Sequence, residues 1–143
     1  MSSESVKHVL VVEDEQSIRD ILVELFDVEG NALVAVETLN EALESLRTKP
    51  YDLIVTDLRL GGKRDGGLQV MAMAGMVSYN ATVIVLTAYP DDANRQAANR
   101  LGALHFLEKP VDLHTIASLA SEAGVGTAFG ESTSGSSELS VAR

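Results

Sequence analysis

The chain has 143 residues, 45% of them hydrophobic, no cysteine and a formal net charge of −10. Such a length supports one domain with a real core, and the apolar share argues against a disordered chain. The lack of cysteine excludes disulfides, thiolate metal sites and cysteine nucleophiles; no run nears the ~18 apolar residues of a membrane span; the acid excess speaks against direct contact with nucleic acid.

Residues 1–7, MSSESVK, form an N-terminal extension with no apolar stretch, so no signal peptide and a cytoplasmic location are expected. HVLVV (8–12) is an apolar run of strand length, read as the central strand, and three carboxylates, EDE (13–15), follow it directly. QSIRDILVELFDV (16–28) sets Ile18, Ile21, Leu22, Leu25 and Phe26 at helical spacing. NALVAV (31–36) reads as a strand and TLNEALESLR (38–47) as a helix, with Thr38 as N-cap and Glu41 completing a capping box. YDLIVTD (51–57) is a strand behind Pro50. Residues 67–78 read as a helix rich in Met and Ala, with Met71, Met73 and Met76 expected to pack against the sheet. ATVIVLT (81–87) is the plainest buried strand, and DDANRQAANRL (91–101) a polar helix with its acids at the N-terminal end. ALHFL (103–107) is a last strand and 112–123 a last helix. Residues 124–143 are rich in Gly and Ser and are expected to be a flexible tail, with Phe129 and Leu139 too isolated to build a core.

Five apolar strands alternating with helices indicate an α/β fold: a doubly wound (βα)5 parallel sheet covered on both faces. Such sheets bind ligands at the carboxyl ends of their strands. Those ends carry Glu13, Asp14 and Glu15, then Asp57, then Thr87, with Lys109 just beyond the last strand. The acids concentrate there: residues 1–57 hold 13 acids and 4 bases, residues 58–123 six of each. Clustered carboxylates repel one another, and a hard cation such as Mg²⁺ relieves the repulsion. A carboxylate, a cation, an ammonium and a hydroxyl around one point are the parts needed to hold a phosphoryl group, and the carboxylate can itself be the nucleophile.

On VVEDE (11–15), DLIVTDLRL (52–60), DGGL (65–68), VIVLTAY (83–89) and GALHFLEKP (102–110), the chain resembles the CheY-like receiver domain of two-component response regulators over 8–123. The resemblance implies that Asp57 accepts a phosphoryl group from a histidine kinase or a histidine phosphotransfer protein. It implies Mg²⁺ held by Glu13, Asp14, Asp57 and the main-chain carbonyl of Arg59. Thr87 and Lys109 would contact the phosphoryl group, Thr87 and Phe106 would form the switch, and Lys109–Pro110 would be cis. The output partner, unknown, would meet the last two helices and last strand. Phosphorylation and dephosphorylation would be self-catalysed, the product being a conformation rather than a turned-over substrate.

Three departures stand out. Phe106 replaces the commoner tyrosine. Arg59 and Tyr89 are bulky at positions that the resemblance assigns to phosphoryl lifetime, which predicts slow self-dephosphorylation; Arg59 is also within reach of the acids without metal. The loop 61–67 is longer than the usual form and lacks its proline.

Asp14 or Glu15 alone would read as a helix N-cap, Phe106 alone as core, and Arg95 and Arg100 as a solvated face. An aspartate-nucleophile phosphohydrolase needs a second Asp where Arg59 stands. A flavodoxin-like FMN carrier needs a hydroxyl- and glycine-rich loop where EDEQS would repel the phosphate. A pseudo-receiver that binds partners without phosphorylation is the alternative to a working receiver, as is a receiver fragment of a longer transcriptional regulator.

Overall fold

The computed structural model describes residues 6–62 and 65–130. In chain order it forms β1 (Lys7–Val12), α1 (Gln16–Phe26), β2 (Asn31–Val36), α2 (Leu39–Thr48), β3 (Leu53–Asp57), α3 (Gly66–Val77), β4 (Thr82–Thr87), α4 (Asp92–Arg100), β5 (His105–Glu108) and α5 (Leu113–Glu122). The strands make one sheet in the order β2-β1-β3-β4-β5, and every neighbouring pair is parallel. The middle strand is thus β3 and not, as the sequence suggested, the strand holding VLVV. Both strands are apolar and buried, and hydropathy does not rank one buried strand against another.

The chain winds outward from β1 to β2, then crosses back to β3. The order therefore reverses beside β1, and a crevice opens at the carboxyl ends of β1 and β3. Leu22, Leu25 and Phe26 of α1 and Ile116, Ala117 and Ala120 of α5 cover one face of the sheet. Residues of α2, α3 and α4 cover the other, with Leu46, Met71 and Ala98 among them.

The predicted caps and limits hold with local shifts. Thr38 and Glu41 form the expected capping box. The third strand starts at Leu53 rather than 51, because the Tyr51 N–H donates to Ser78 Oγ (2.9 Å) instead of joining the ladder. The fifth starts at His105, after the Ala103 N–H has closed α4 on the Ala98 carbonyl (3.0 Å). α1 stops at Phe26, two residues early, and α5 begins after Asp112, whose side chain accepts the His114 and Thr115 N–H groups. Gly67 is required at the head of α3. A Cβ there would strike the Asp57 carbonyl oxygen and the Leu58 Cα, so only glycine lets the helix start against the end of β3.

Two expectations are corrected. Met71 is buried and Met73 partly so, but Met76 is 76% exposed. α3 is apolar all round, so no polar face marks its outer side. The flexible tail does not begin at 124, for Val125 is fully buried against the α1/α5 side of the core. Its N–H donates to the Ala120 carbonyl (2.9 Å), and the Ala128 N–H to the Leu25 carbonyl (2.8 Å). Asn31 Nδ2 donates to the carbonyls of Phe26 and Gly126, both at 3.0 Å. Phe129 stays out of the core, as expected, being 49% exposed, but its ring stacks on His114 with centroids 4.4 Å apart. The rest of the expected tail, including Leu139, lies outside the described residues.

Candidate phosphoacceptor site

The parallel register brings the strand ends together. Val12 pairs with Thr56, Asp57 with Leu86, and Thr87 with Glu108, so Glu13, Asp57, Thr87 and Lys109 all emerge at one edge. Glu13 and Thr87 are fully buried, Asp57 is 7% exposed, and Asp14 faces solvent.

Lys109 ties the site together. Its Nζ lies 3.1 Å from Asp57 Oδ2 and 3.1 Å from Glu13 Oε1, with Glu15 Oε1 further off at 3.9 Å. It donates to Asp57 Oδ2 and to Glu13 Oε2, the latter at 3.3 Å. Glu13 Oε1 is at ion-pair distance but has no aligned donor, a buried oxygen with a lone pair to spare. Burial, and then the Asp57 charge, push the Glu13 carboxyl from 4.5 up to about 7, against the pull of the Glu15 N–H and Lys109. Burial works against the Lys109 ammonium, yet the carboxylates of Asp57 and Glu13 prevail and hold its pKa above the ordinary lysine value.

The loops aim the remaining groups. The Gly61 N–H donates to Asp14 Oδ2 (2.9 Å), so the long loop after β3 holds the exposed carboxylate. The Arg59 N–H donates to Asp57 Oδ1 (3.3 Å), and the Tyr89 N–H to Thr87 Oγ1 (2.8 Å). Arg59 does not reach into the acids. Its guanidinium stacks over the Tyr89 ring, 3.7 Å from the centroid, joining the loops after β3 and β4. Aromatic stacking satisfies a weakly hydrated guanidinium at little desolvation cost. Glu15 sits at the N-cap of α1 but makes no side-chain cap bond; its N–H donates to Glu13 Oε2 (3.0 Å).

Arg19 was missed in the sequence. Its Nη1 donates to the Glu13 main-chain carbonyl (2.9 Å), and its Nη2 lies 3.2 Å from Glu37 Oε1. The available signal was a lone arginine one turn into the helix behind the acid run.

The donor set fits a hard dication. Glu13, Asp14 and Asp57 each offer a carboxylate oxygen, and these lie within 4.8 Å of one another. An all-oxygen site of this kind suits Mg²⁺ or Ca²⁺ rather than a thiophilic metal. Among the described residues, no helix is long and apolar enough to cross a membrane.

A (βα)5 sheet whose strand ends gather carboxylates, a hydroxyl and an ammonium defines a CheY-like signalling domain. The chain belongs to the response regulator receiver domain family, whose model matches residues 9–121. It is 30% identical over 108 residues to sporulation initiation phosphotransferase F of Bacillus subtilis, covering 76% of this chain and 86% of that one. It is 30% identical over 110 residues to the regulatory protein VirG of Agrobacterium fabrum, covering 77% of this chain but only 43% of VirG. A Burkholderia pseudomallei response regulator, crystallised with a phosphorylated aspartic acid, a calcium ion and citrate, superposes with a TM-score of 0.70 at 26% identity. That match covers 95% of this chain and 72% of the other. The protein is thus a two-component receiver domain, and it spans less than half of VirG.

Proposed function

We propose that Asp57 is the phosphoacceptor of this receiver, charged by a histidine kinase or a histidine phosphotransfer protein in the cytoplasm. The observation that carries the assignment is the Lys109 bridge, which holds Asp57 and the buried Glu13 on one ammonium. Glu13, Asp14, Asp57 and the Arg59 main-chain carbonyl are the groups to hold Mg²⁺. When bound, the ion neutralises the carboxylates and the charge that develops on a transferring phosphoryl group.

The chain's own groups supply the rest. An Asp57 oxygen attacks phosphorus, the phosphorus–nitrogen bond to the donor histidine breaks, and the departing imidazole nitrogen takes a proton from water. Lys109 then pairs with the phosphoryl oxygens, and the Thr87 hydroxyl, freed from the Tyr89 N–H, donates to one of them. The displacement of Thr87 and Phe106 passes to the face formed by α4, β5 and α5, where an output partner reads it. Hydrolysis of the acyl phosphate by water resets the domain.

Acetyl phosphate with Mg²⁺ tests this by intact mass. One phosphoryl adduct is expected, absent from Asp57→Ala and from a metal-free control. An equal adduct on Asp57→Ala would remove the assignment. The Arg59–Tyr89 stack across the loops predicts slow loss of the phosphoryl group, because it narrows the approach of water. The half-life of the adduct should shorten about tenfold in Arg59→Ala/Tyr89→Ala, a barrier change of roughly 1.4 kcal/mol. A half-life that does not change takes the stack out of the mechanism.

A further inference from the structure

Thr87 and Phe106 are joined by the sheet itself. Val85 is the register partner of Phe106, and Thr87 stands two residues beyond Val85 on the same strand. Val83 and Val85 pack on the α2/α3/α4 side with Phe106, while Ile84 and Leu86 face α1 and α5. Strand alternation therefore puts Thr87 on the side of Phe106, as its diagonal neighbour. In the proposed switch, movement of Thr87 toward Asp57 frees space on the side of the sheet that Phe106 shares.

A cation from α4 also meets the ring. The Arg95 guanidinium of α4 lies 4.7 Å from the Phe106 ring centroid. Arg95 is exposed, and among the described residues no carboxylate forms an ion pair with it. Phe106 is only half-buried and has no hydroxyl with which to bond outward. The ring face is thus the partner of the guanidinium, and the guanidinium is the polar hold on the ring.

We propose that Arg95 is a positioning residue that holds the Phe106 ring away from the phosphoacceptor cleft and so sets how readily the cleft takes a phosphoryl group. The inference rests on Asp57 being the phosphoacceptor. An inward ring leaves the guanidinium behind, so the contact favours the resting form. Losing it raises the population of the competent form, and apparent affinity rises with that fraction. The sign is diagnostic. Simple electrostatics predicts the reverse, since removing a positive charge weakens the binding of an anion.

Beryllofluoride, which stands in for a phosphoryl group on a carboxylate, is titrated with Mg²⁺ against the full chain. The variants are Arg95→Ala, Arg95→Lys, Phe106→Leu and the double Arg95→Ala/Phe106→Leu, with Phe106→Met as a second ring deletion. Arg95→Ala should tighten binding about two- to fivefold, the worth of an exposed cation–π contact. Arg95→Lys should stay near the wild type, and Arg95→Ala should bring no tightening where the ring is absent. Unchanged or weaker binding by Arg95→Ala overturns the proposal, as does a tightening that persists in Phe106→Leu or Phe106→Met. If the wild-type chain takes up no beryllofluoride, the assignment of Asp57 fails and this inference falls with it. If the wild type binds and Arg95→Ala binds equally, only the role of Arg95 is lost.

Discussion

Lys109 is the one ammonium facing Glu13, Glu15 and Asp57 among the described residues. Glu13 is fully buried, so its charge has little water to fall back on. Lys109→Ala leaves two close carboxylates without a counter-charge. Breaking a fully buried pair costs ~3–5 kcal/mol. Here the side chains of Lys109 and Asp57 keep 12% and 10% exposure, so about 2 kcal/mol is expected in urea unfolding without metal. Mg²⁺ should recover most of that loss, since it supplies positive charge to the same oxygens. A variant as stable as the wild type without Mg²⁺ would show that the carboxylates do not need Lys109. The residues of this cluster were legible in the sequence because each closes an apolar strand. Arg19 was not, because its contact is with a main-chain carbonyl, and no side-chain pattern records such a partner. The destination of Arg59 was equally hidden. Two acceptors competed for it, the acids and the Tyr89 ring, and only the loop geometry chose the ring.

Elements were legible wherever two signals agreed. α2 had helical spacing and a capping box, and both are present. α3 had composition alone, and the sequence put Met76 on the wrong side. The segment after α5 carried neither signal. It is tied down by main-chain carbonyls, one asparagine and one valine, which Gly-rich composition conceals. Val125→Ala tests its weight. The substitution deletes two buried methyl groups among Leu25, Phe26 and Ala120, whose joint loss by transfer is about 1.6 kcal/mol, rising to about 2 kcal/mol with the cavity left behind. The urea midpoint should fall accordingly, while beryllofluoride affinity with Mg²⁺ stays the same, because Val125 lies outside the strand-end cluster. A midpoint within error of the wild type would mean that residues 124–130 only rest on the surface.

At the scale of the whole molecule, folding itself concentrates charge. Glu13 and Asp57 are 44 positions apart, yet the crossover from β2 to β3 sets them on neighbouring strand ends, with Asp14 beside them. The unfolded chain keeps Asp57 apart from Glu13 and Asp14, so it lacks the three-carboxylate site for a dication. A ligand that binds only the folded state stabilises it by mass action, by about 2.7 kcal/mol at one hundred times its dissociation constant. For a domain of this size that is a rise of roughly 5–10 °C in the melting temperature. Mg²⁺ should give this rise in the wild type, and NaCl at matched ionic strength should not. Screening acts weakly on a buried carboxylate and supplies no ligand-like charge to Glu13. Asp14→Asn keeps the fold, because Asp14 is exposed and its oxygen only accepts from the Gly61 N–H, which the amide oxygen can replace. It should nevertheless lose most of the Mg²⁺ response. Equal shifts from Mg²⁺ and from matched NaCl would reduce the cluster to ordinary surface charge. A full Mg²⁺ shift in Asp14→Asn would instead locate the ion between Glu13 and Asp57 alone.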